Sequence, residues 1–374
     1  MGSLGVYIHI PFCLKKCNYC DFCSFVDKGG AIMRRYTDEL CRRIIDYTDS
    51  DQNGKTVDTV YFGGGTPTLL PIDCFEKIMK TLEDRFEIAP GAEITVECNP
   101  ASIGYDGLRY LNTLGVNRLS IGMQSANDNE LKALGRLYSF EDVRQIYFTA
   151  RKAGFDNISL DLMYGIPYQT IDSFKNTLAL TVELQPEHIS AYGLKIEEDT
   201  VFGAMADSLK LPDEDDELLM YCSCVEYLAK NGYKRYEISN FSKPGRESRH
   251  NMKYWQLDDY IGFGVAAHSC VRRERFGNSR DLSAFLRGED IVSERYMISD
   301  EERRREYVML GLRLGRGISL DAYGQKWGRS FMDDFPMIEC FVKNGLLSDN
   351  DGHVAFTTRG FFVSNEVLRQ MLDQ

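Results

Sequence analysis

The chain has 374 residues, a formal net charge of −12 and 43% hydrophobic residues. That is enough chain for one barrel-sized unit and a small appendage, and the acidity excludes a nucleic-acid role unless a strong local basic patch offsets it. No apolar run reaches the ~18 residues that a membrane-crossing helix needs. With no leader-like segment, the eleven cysteines are expected to stay free thiols in a reducing cytosol.

The chain opens on an apolar, β-rich segment (Val6, Tyr7, Ile8, Ile10) that runs into Cys13, Cys17, Cys20 and Cys23. The first three cysteines read C-x3-C-x2-C. A strand followed by a short cysteine loop presents thiolates at a mouth rather than in a core. Three thiolates can hold three irons of a [4Fe-4S] cluster, leaving the fourth iron open to another ligand. Structural zinc competes with this reading, but zinc sites usually take four ligands, often as two separated pairs. No such pair follows: Cys222 and Cys224 sit in a helical pattern and read as buried thiols. A disulfide does not suit a reducing compartment.

Tyr36, Leu40, Ile44 and Tyr47 then recur at helical spacing, and DQNG at 51–54 breaks the chain. A second strand at 59–62 runs into Gly63-Gly64-Gly65-Thr66-Pro67, and a helix follows through Phe75, Ile78, Met79 and Leu82. The alternation continues. Strand 94–98 leads to Asn99-Pro100 and a helix at 108–114. Strand 118–123 leads to Gln124-Ser125 and helices at 127–134 and 140–153. Strand 158–163 leads to a turn at 164–167 and a helix at 171–183. Strand 189–194 leads to Lys195-Ile196-Glu197-Glu198. Six strand–helix units predict an α/β fold, a parallel sheet with helices outside, arranged as a partial (β/α)6 TIM-type barrel. A doubly wound open sheet is the competitor. In either case ligands gather at the C-terminal strand ends.

Residues 211–234 read as one more helix, opened by Pro212-Asp213-Glu214-Asp215. The acidic run suits a helix N-terminus better than a metal site. Residues 236–282 are dense in aromatics, glycine and histidine. Beyond about residue 290, helical patterns at 300–314, 319–327 and 332–344 lead to Asn350-Asp351-Gly352 between apolar residues, a hairpin turn signal. A first domain at 1–285 and a C-terminal α+β, winged-helix-like domain at 286–374 are therefore expected. Arg303, Arg304 and Arg305, flanked by Glu301, Glu302 and Glu306, read as a solvated helix face.

Five stretches carry a family resemblance over most of the chain: YIHIPFCLKKCNYCDF, YFGGGTPTLL, ISAYGLKIEEDTVF, YEISNFSKPGRESRHNMKYW and YIGFGVAAHS. Together they resemble the HemW-type heme chaperones of the radical SAM superfamily, once grouped as oxygen-independent coproporphyrinogen III oxidase-like. The resemblance implies a [4Fe-4S] cluster on Cys13, Cys17 and Cys20, with S-adenosyl-L-methionine (SAM) on the open iron. Gly63, Gly64 and Gly65 would let backbone approach the methionyl part of SAM, and Thr66 would add a hydroxyl. Glu97, Gln124, Arg136 and Asp161 match positions that contact SAM. Arg136 suits its carboxylate, and the carboxylates and amide suit ribose hydroxyls. Tyr7 and Tyr19 match positions beside the cluster and SAM. On chemistry alone each of these is an ordinary strand-end or surface residue.

His250-Asn251-Met252-Lys253-Tyr254-Trp255 matches the HNxxYW motif of these chaperones. The match implies heme binding, with His250 as axial ligand, flat Tyr and Trp surface for the porphyrin, and Arg246 and Arg249 near its propionates. On chemistry alone, a histidine satisfied inside an aromatic core stands beside that reading. His9, His188 and His268 remain rival ligands.

The true oxidase is the alternative. Its motif carries a fourth cysteine where Phe22 stands here, and Cys23 reads as a packed bystander. The first strand begins near residue 5, so the oxidase's N-terminal cover over its substrate is expected to be absent. The resemblance thus implies a chaperone without coproporphyrinogen oxidase activity, in which SAM need not be turned over. It would hand heme to a client, a respiratory enzyme at the cytoplasmic face of the membrane, and it leaves homodimer formation open. A radical SAM enzyme that methylates and opens heme is a third reading. A DNA-binding regulator with an iron–sulfur sensor is a fourth, resting only on the winged-helix expectation.

Overall fold

Strand β1 (Ser3–Ile10) crosses through helix α1 (Ala31–Asp46) to β2 (Thr56–Gly64), with which it pairs in parallel. This is a computed structural model, and it describes residues 2–27, 30–47 and 55–372; the expected break at 51–54 lies outside the described residues. The same crossover step repeats through α2 (Ile72–Arg85), β3 (Ile88–Cys98), α3 (Tyr105–Thr113) and β4 (Arg118–Gln124). It continues through α4 (Asp128–Ala133), α5 (Phe140–Lys152), β5 (Ile158–Tyr164), α6 (Ile171–Glu183) and β6 (His188–Gly193). Strands β1 to β6 neighbour one another in chain order and are parallel throughout. Unbroken order is barrel winding; a doubly wound sheet would reverse at a switch point.

The period of two along each strand separates two environments. On β1 the outward residues Val6, Ile8 and Ile10 are fully buried, in one hydrophobic cluster with Tyr36, Leu40 and Ile44 of α1. The inward residues are polar, including His9 on β1, Glu97 on β3 and Asp161 on β5. The helices therefore stabilise the outer face, and the concave face is left for chemistry.

Residues 194–298 extend this sheet at both edges. Helix α7 (Val201–Ala204) and helix α8 (Glu214–Lys230) precede β7 (Lys234–Arg235) and β8 (Asn240–Ser242), which continue antiparallel from β6. Asp213 caps α8 by accepting from the Asp216 N–H, as expected for that acidic run. Helix α9 (Arg249–Gln256) then carries the chain to the opposite edge. There β9 (Tyr260–Phe263) pairs in parallel with β1, followed by β10 (His268–Val271), β11 (Glu274–Asn278), helix α10 (Leu282–Leu286) and β12 (Val292–Met297). The result is a twelve-stranded sheet, and it runs past residue 285.

Helix α9 lies across the N-terminal ends of β1 to β3. The Arg249 and His250 N–H groups both donate to the Glu93 carboxylate at 3.0 Å. The Lys253 ammonium meets Asp58 and the Ser3 hydroxyl, each at 2.8 Å. The HNMKYW segment is thus the floor of the half-barrel.

The C-terminal part runs through α11 (Asp300–Leu312), β13 (Ile318–Ser319), α12 (Leu320–Trp327), α13 (Phe331–Asp334), α14 (Ile338–Lys343), β14 (Leu347–Asn350), β15 (His353–Phe356), α15 (Thr358–Phe362) and α16 (Ser364–Leu372). The single helix expected at 332–344 is two, because Pro336 has no N–H to donate and cannot continue the first. The hairpin falls where its turn signal stands, with Asp351 and Gly352 at φ 52° and 72°. Strand β13 pairs with β15 and completes a three-stranded wing. A second hydrophobic cluster fills this part, and Tyr221 of α8 belongs to it. The Arg235 guanidinium sits 4.0 Å from the Phe361 ring and links the two parts. Arg303 and Arg304 are not a solvated face: their side chains are only 16% exposed, and Arg304 pairs with Asp334 at 2.6 Å. Among the described residues no helix is long and apolar enough to cross a membrane.

Candidate cluster and cofactor site

A cavity of about 600 Å³ opens at the C-terminal ends of the parallel strands. The cysteine loop forms one wall. Its base is closed by Cys13 N–H to the Phe25 carbonyl at 2.9 Å and Phe25 N–H to the Pro11 carbonyl at 2.7 Å. Its tip is tied across the mouth: Asn18 N–H donates to Leu134, and Phe202 N–H donates to Asn18. Cys13, Cys17 and Cys20 all line the cavity as free thiols. Burial pushes the Cys13 and Cys20 thiols up. Cys23 turns away, buried in the main core with its Sγ 3.8 Å from the Arg280 carbonyl. Phe22 stands at the rim, 67% exposed.

Beside the thiols lies the glycine turn. Gly65 N–H donates to the Ile10 carbonyl at 2.9 Å and Thr66 N–H to the Phe12 carbonyl at 2.7 Å. A Cβ on Gly65 would stand 2.7 Å from that same Phe12 oxygen. Gly64 has φ 110°, and a Cβ there would stand 2.4 Å from the His9 imidazole. Only glycine fits either position. The Thr66 hydroxyl lies 3.6 Å from Cys13 Sγ.

Glu97 accepts from the Tyr61 hydroxyl at 2.9 Å and from Gly64 N–H at 3.1 Å. Burial pushes its carboxyl up to about 7 against those two bonds, with the Asp161 carboxylate adding to the rise. Asp161 accepts from the Ser120, Ser159 and Ser190 hydroxyls at 2.9, 3.0 and 2.8 Å. Its carboxyl is still raised, so burial outweighs three hydroxyl donors. Gln124 owes its position to an irregularity in the β4–β5 register after Gly122, which leaves it at φ 64°. Its Oε1 accepts from the Tyr192 hydroxyl at 2.9 Å.

Arg136 enters after α4. Its guanidinium donates to the Tyr19 hydroxyl and lies 5.6 Å from the rings of Tyr19 and Tyr138. Burial pushes the Tyr19 hydroxyl up to about 12, so it stays neutral beside the cation. The Arg136 Nε is buried without a hydrogen-bond partner. A buried guanidinium N–H with no acceptor fits an anionic group.

Eleven of the expected site residues therefore converge on one cavity: Cys13, Cys17, Cys20, Tyr19, Gly64, Gly65, Thr66, Glu97, Gln124, Arg136 and Asp161. Tyr7 and His250 do not line it. Tyr7 lies deeper, its hydroxyl 3.0 Å from His9 Nδ1 and its ring 6.2 Å from Tyr61. His250 is in the floor, with Nδ1 2.8 Å from the Thr59 hydroxyl and Nε2 2.8 Å from the Tyr254 hydroxyl. Ser120, Ser190, Tyr192 and Asn240 also line the cavity and were not foreseen. Ser120 and Ser190 share the inward face with Asp161 only through the β4–β5 and β5–β6 registers, whereas alternation along β5 itself points to Ser159.

Among the described residues no three His, Cys, Asp or Glu side chains are grouped to hold a single metal ion. The three thiols instead stand around one cavity. That suits a [4Fe-4S] cube, which takes cysteines at separate corners, and does not suit compact tetrahedral zinc. The glycine turn, the unpartnered Arg136 N–H and the Glu97 and Asp161 carboxylates suit a zwitterionic ligand carrying hydroxyls. The donor set thus fits both cluster and SAM.

Residues 7–181 match the radical SAM superfamily model, and residues 298–363 match the HemN C-terminal domain. The heme chaperone HemW of Bacillus subtilis (strain 168) is 34% identical over 381 residues, covering 99% of this chain and 99% of that protein. The heme chaperone HemW of Escherichia coli (strain K12) is 36% identical over 380 residues, covering 100% and 99%. The solved structure of coproporphyrinogen III oxidase (HemN) from Escherichia coli, described as a radical SAM enzyme, superposes with a TM-score of 0.85 at 25% identity, covering 100% of this chain and 90% of that one.

Proposed function

The chain belongs to the HemW family of the radical SAM superfamily, and from that premise we propose that it is a heme chaperone. It binds heme and passes it to a heme-dependent client, a respiratory enzyme at the cytoplasmic face of the membrane. The observation that carries this reading is the end-to-end similarity to relatives named for that role. The exposed Phe22 at the cavity rim, where the oxidase motif has a cysteine, supports it further.

Cys13, Cys17 and Cys20 hold the cluster, and together cluster and SAM supply one-electron radical chemistry when bound. Arg136 takes the SAM carboxylate through its free Nε, and Gly64 and Gly65 give the methionyl chain its backbone contacts. Glu97, Gln124 and Asp161 accept from ribose hydroxyls. Tyr19 fixes the guanidinium, and Tyr7 packs beneath the site through His9 and Tyr61. We place the domain division after β12, where the large sheet ends and the second core begins.

Catalysis as a coproporphyrinogen oxidase is the second reading, favoured by the close superposition on that enzyme. Anaerobic incubation of the reconstituted protein with coproporphyrinogen III, SAM and a reductant, beside a heme titration, separates the two. Heme uptake without porphyrinogen decarboxylation is the expected result. Robust decarboxylation would promote the oxidase.

A further inference from the structure

This inference rests on the heme-binding reading above and concerns where the heme sits. The chain has five histidines. Three have both ring nitrogens engaged inside the protein. His9 meets the Tyr7 hydroxyl and the Cys23 carbonyl, His188 meets Ser159 and Tyr236, and His250 meets Thr59 and Tyr254. Each is at most 5% exposed. An iron could reach none of them without breaking a buried hydrogen bond and opening the core. His353 is exposed, on the wing hairpin beside Asp349 and Asp351, with its Nδ1 at the Asp351 carbonyl. The hairpin turn that carries it, residues 349–353, has no Phe, Tyr or Trp.

His268 differs from all of these. Its side chain is 58% exposed, and its Nδ1 stands 3.4 Å from the Glu294 carboxylate. A histidine that ligates a metal through one nitrogen usually presents the other to a carboxylate or carbonyl, which fixes the ring and raises its basicity. The register explains the pairing. Gly277 on β11 is the partner of both His268 on β10 and Glu294 on β12. A Cβ at Gly277 would stand 2.7 Å from His268 Nδ1 and 2.9 Å from Glu294 Oε1. Only glycine there lets imidazole and carboxylate meet.

The concave face beside His268 carries two tyrosines, Tyr260 and Tyr296. Two residues along β10, Cys270 is the partner of both Tyr260 and Arg275, and Arg275 is the partner of Tyr296. Strand alternation puts this row on the same concave face as His268. Tyr296 is 42% exposed. Tyr260 holds the Tyr254 ring edge-on at 4.6 Å, and Tyr254 is the tyrosine of HNMKYW. Tyr296 is the exposed ring of this row, with Arg275 beside it held by Glu306 of α11 at 2.5 Å, and it offers its edge to a macrocycle. Arg280, 63% exposed just beyond β11, is paired with Asp21 of the cysteine loop at 3.2 Å, and a propionate would exchange for that surface carboxylate.

We propose that heme docks on the concave face of the β10–β12 extension, with His268 as axial ligand and Glu294 as the partner of its other nitrogen. HNMKYW then acts through Tyr254, which His250 holds in place; His250 is a positioning residue. A shallow, open platform suits a cargo that must be released, because rapid dissociation needs no opening of the core.

The test is a titration of the reconstituted, full-length protein with ferric heme, followed by its Soret band. In His268→Ala the band is expected to lose its imidazole-ligated position and affinity to fall about tenfold or more. Exogenous imidazole should restore the band in His268→Gly. Glu294→Gln should lower the iron–imidazole stretching frequency of the ferrous form. His250→Ala should weaken binding while keeping the imidazole-ligated band. Circular dichroism and iron content check that the exposed-site variants fold. A His268→Ala spectrum and affinity like the wild type, or their loss in His353→Ala instead, overturns the placement. A wild type that takes up no heme removes the chaperone reading and the placement together, whereas unchanged uptake by His268→Ala removes the placement alone.

Discussion

The Nδ1 of His250 and the hydroxyl of Thr59 lie 2.8 Å apart, joining helix α9 to strand β2 at the floor of the half-barrel. The His250 ring stacks on Tyr61 at 5.2 Å. Tyr61 in turn donates to Glu97 in the cavity above. The histidine of HNMKYW therefore supports the cofactor site from below.

Burial lowers the His250 pKa to about 3, with Lys253 and Arg118 adding to the effect. The folded state keeps the ring neutral, while the unfolded chain takes up a proton below about pH 6.5, so this group's contribution to stability is lost as pH falls from about 6.5 towards 3. His250→Phe keeps a ring but strands Thr59 and Tyr254, and should cost about 2–3 kcal/mol at neutral pH. The variant has no such proton uptake, so its deficit against the wild type should narrow by about 1.4 kcal/mol between about pH 7.5 and 5.5. Urea denaturation at the two pH values measures this. A deficit that stays constant would mean that His250 titrates normally.

Cys13 and Cys23 lie ten residues apart in sequence and in different environments, one in the cavity wall and one in the main core. Cys13→Ala should abolish stable cluster reconstitution, read as loss of bound iron and of the charge-transfer absorption. Cys23→Ala should keep both and lose about 1 kcal/mol of stability from the vacated volume. Equal iron loss in the two variants would make Cys23 a ligand.

How much of this was legible in the sequence follows the length of each element. The six parallel strands and their helices carry long periodic patterns, and the cavity residues stand at strand ends, where such folds place ligands. Strands β7 to β12 run from two to six residues. That is too short for alternation to register, and their pairing is decided by neighbours far along the chain. His250 shows the same limit: nothing near it in sequence reveals that its partner is Thr59, 191 residues away. The split of the expected 332–344 helix was legible in Pro336, which that expectation passed over.

Gly64 and Gly30 separate backbone strain from steric exclusion. Both have positive φ, but a Cβ at Gly30 meets nothing within 4 Å, whereas one at Gly64 meets His9 at 2.4 Å. Gly30→Ala should cost about 1 kcal/mol and leave SAM affinity unchanged. Gly64→Ala should cost about 1–3 kcal/mol and abolish SAM binding, because the turn must move off His9 and Glu97. Calorimetric SAM titration of both variants measures the contrast. Wild-type affinity in Gly64→Ala would remove the turn from the binding site.

Glu97 ionises only as pH passes about 7, because burial opposes its charge and the Asp161 carboxylate adds to that opposition. The ionised carboxylate accepts from Tyr61, Gly64 and a ribose hydroxyl at once, and the protonated form gives up part of that capacity. SAM affinity should therefore rise about tenfold between roughly pH 6 and 8, following the ionised fraction. Glu97→Gln should lie at the weak end and lose the pH dependence. Stability should move the opposite way. The folded state holds the Glu97 proton more tightly than the unfolded chain, so a stabilising protonation is lost as pH rises from about 4.5 through 7, and Glu97→Gln should gain on the wild type across that window by up to about 3 kcal/mol. Affinity and stability of the two proteins at matched pH separate this carboxylate from other titrating groups. A wild-type SAM affinity that does not change with pH would place the titration elsewhere.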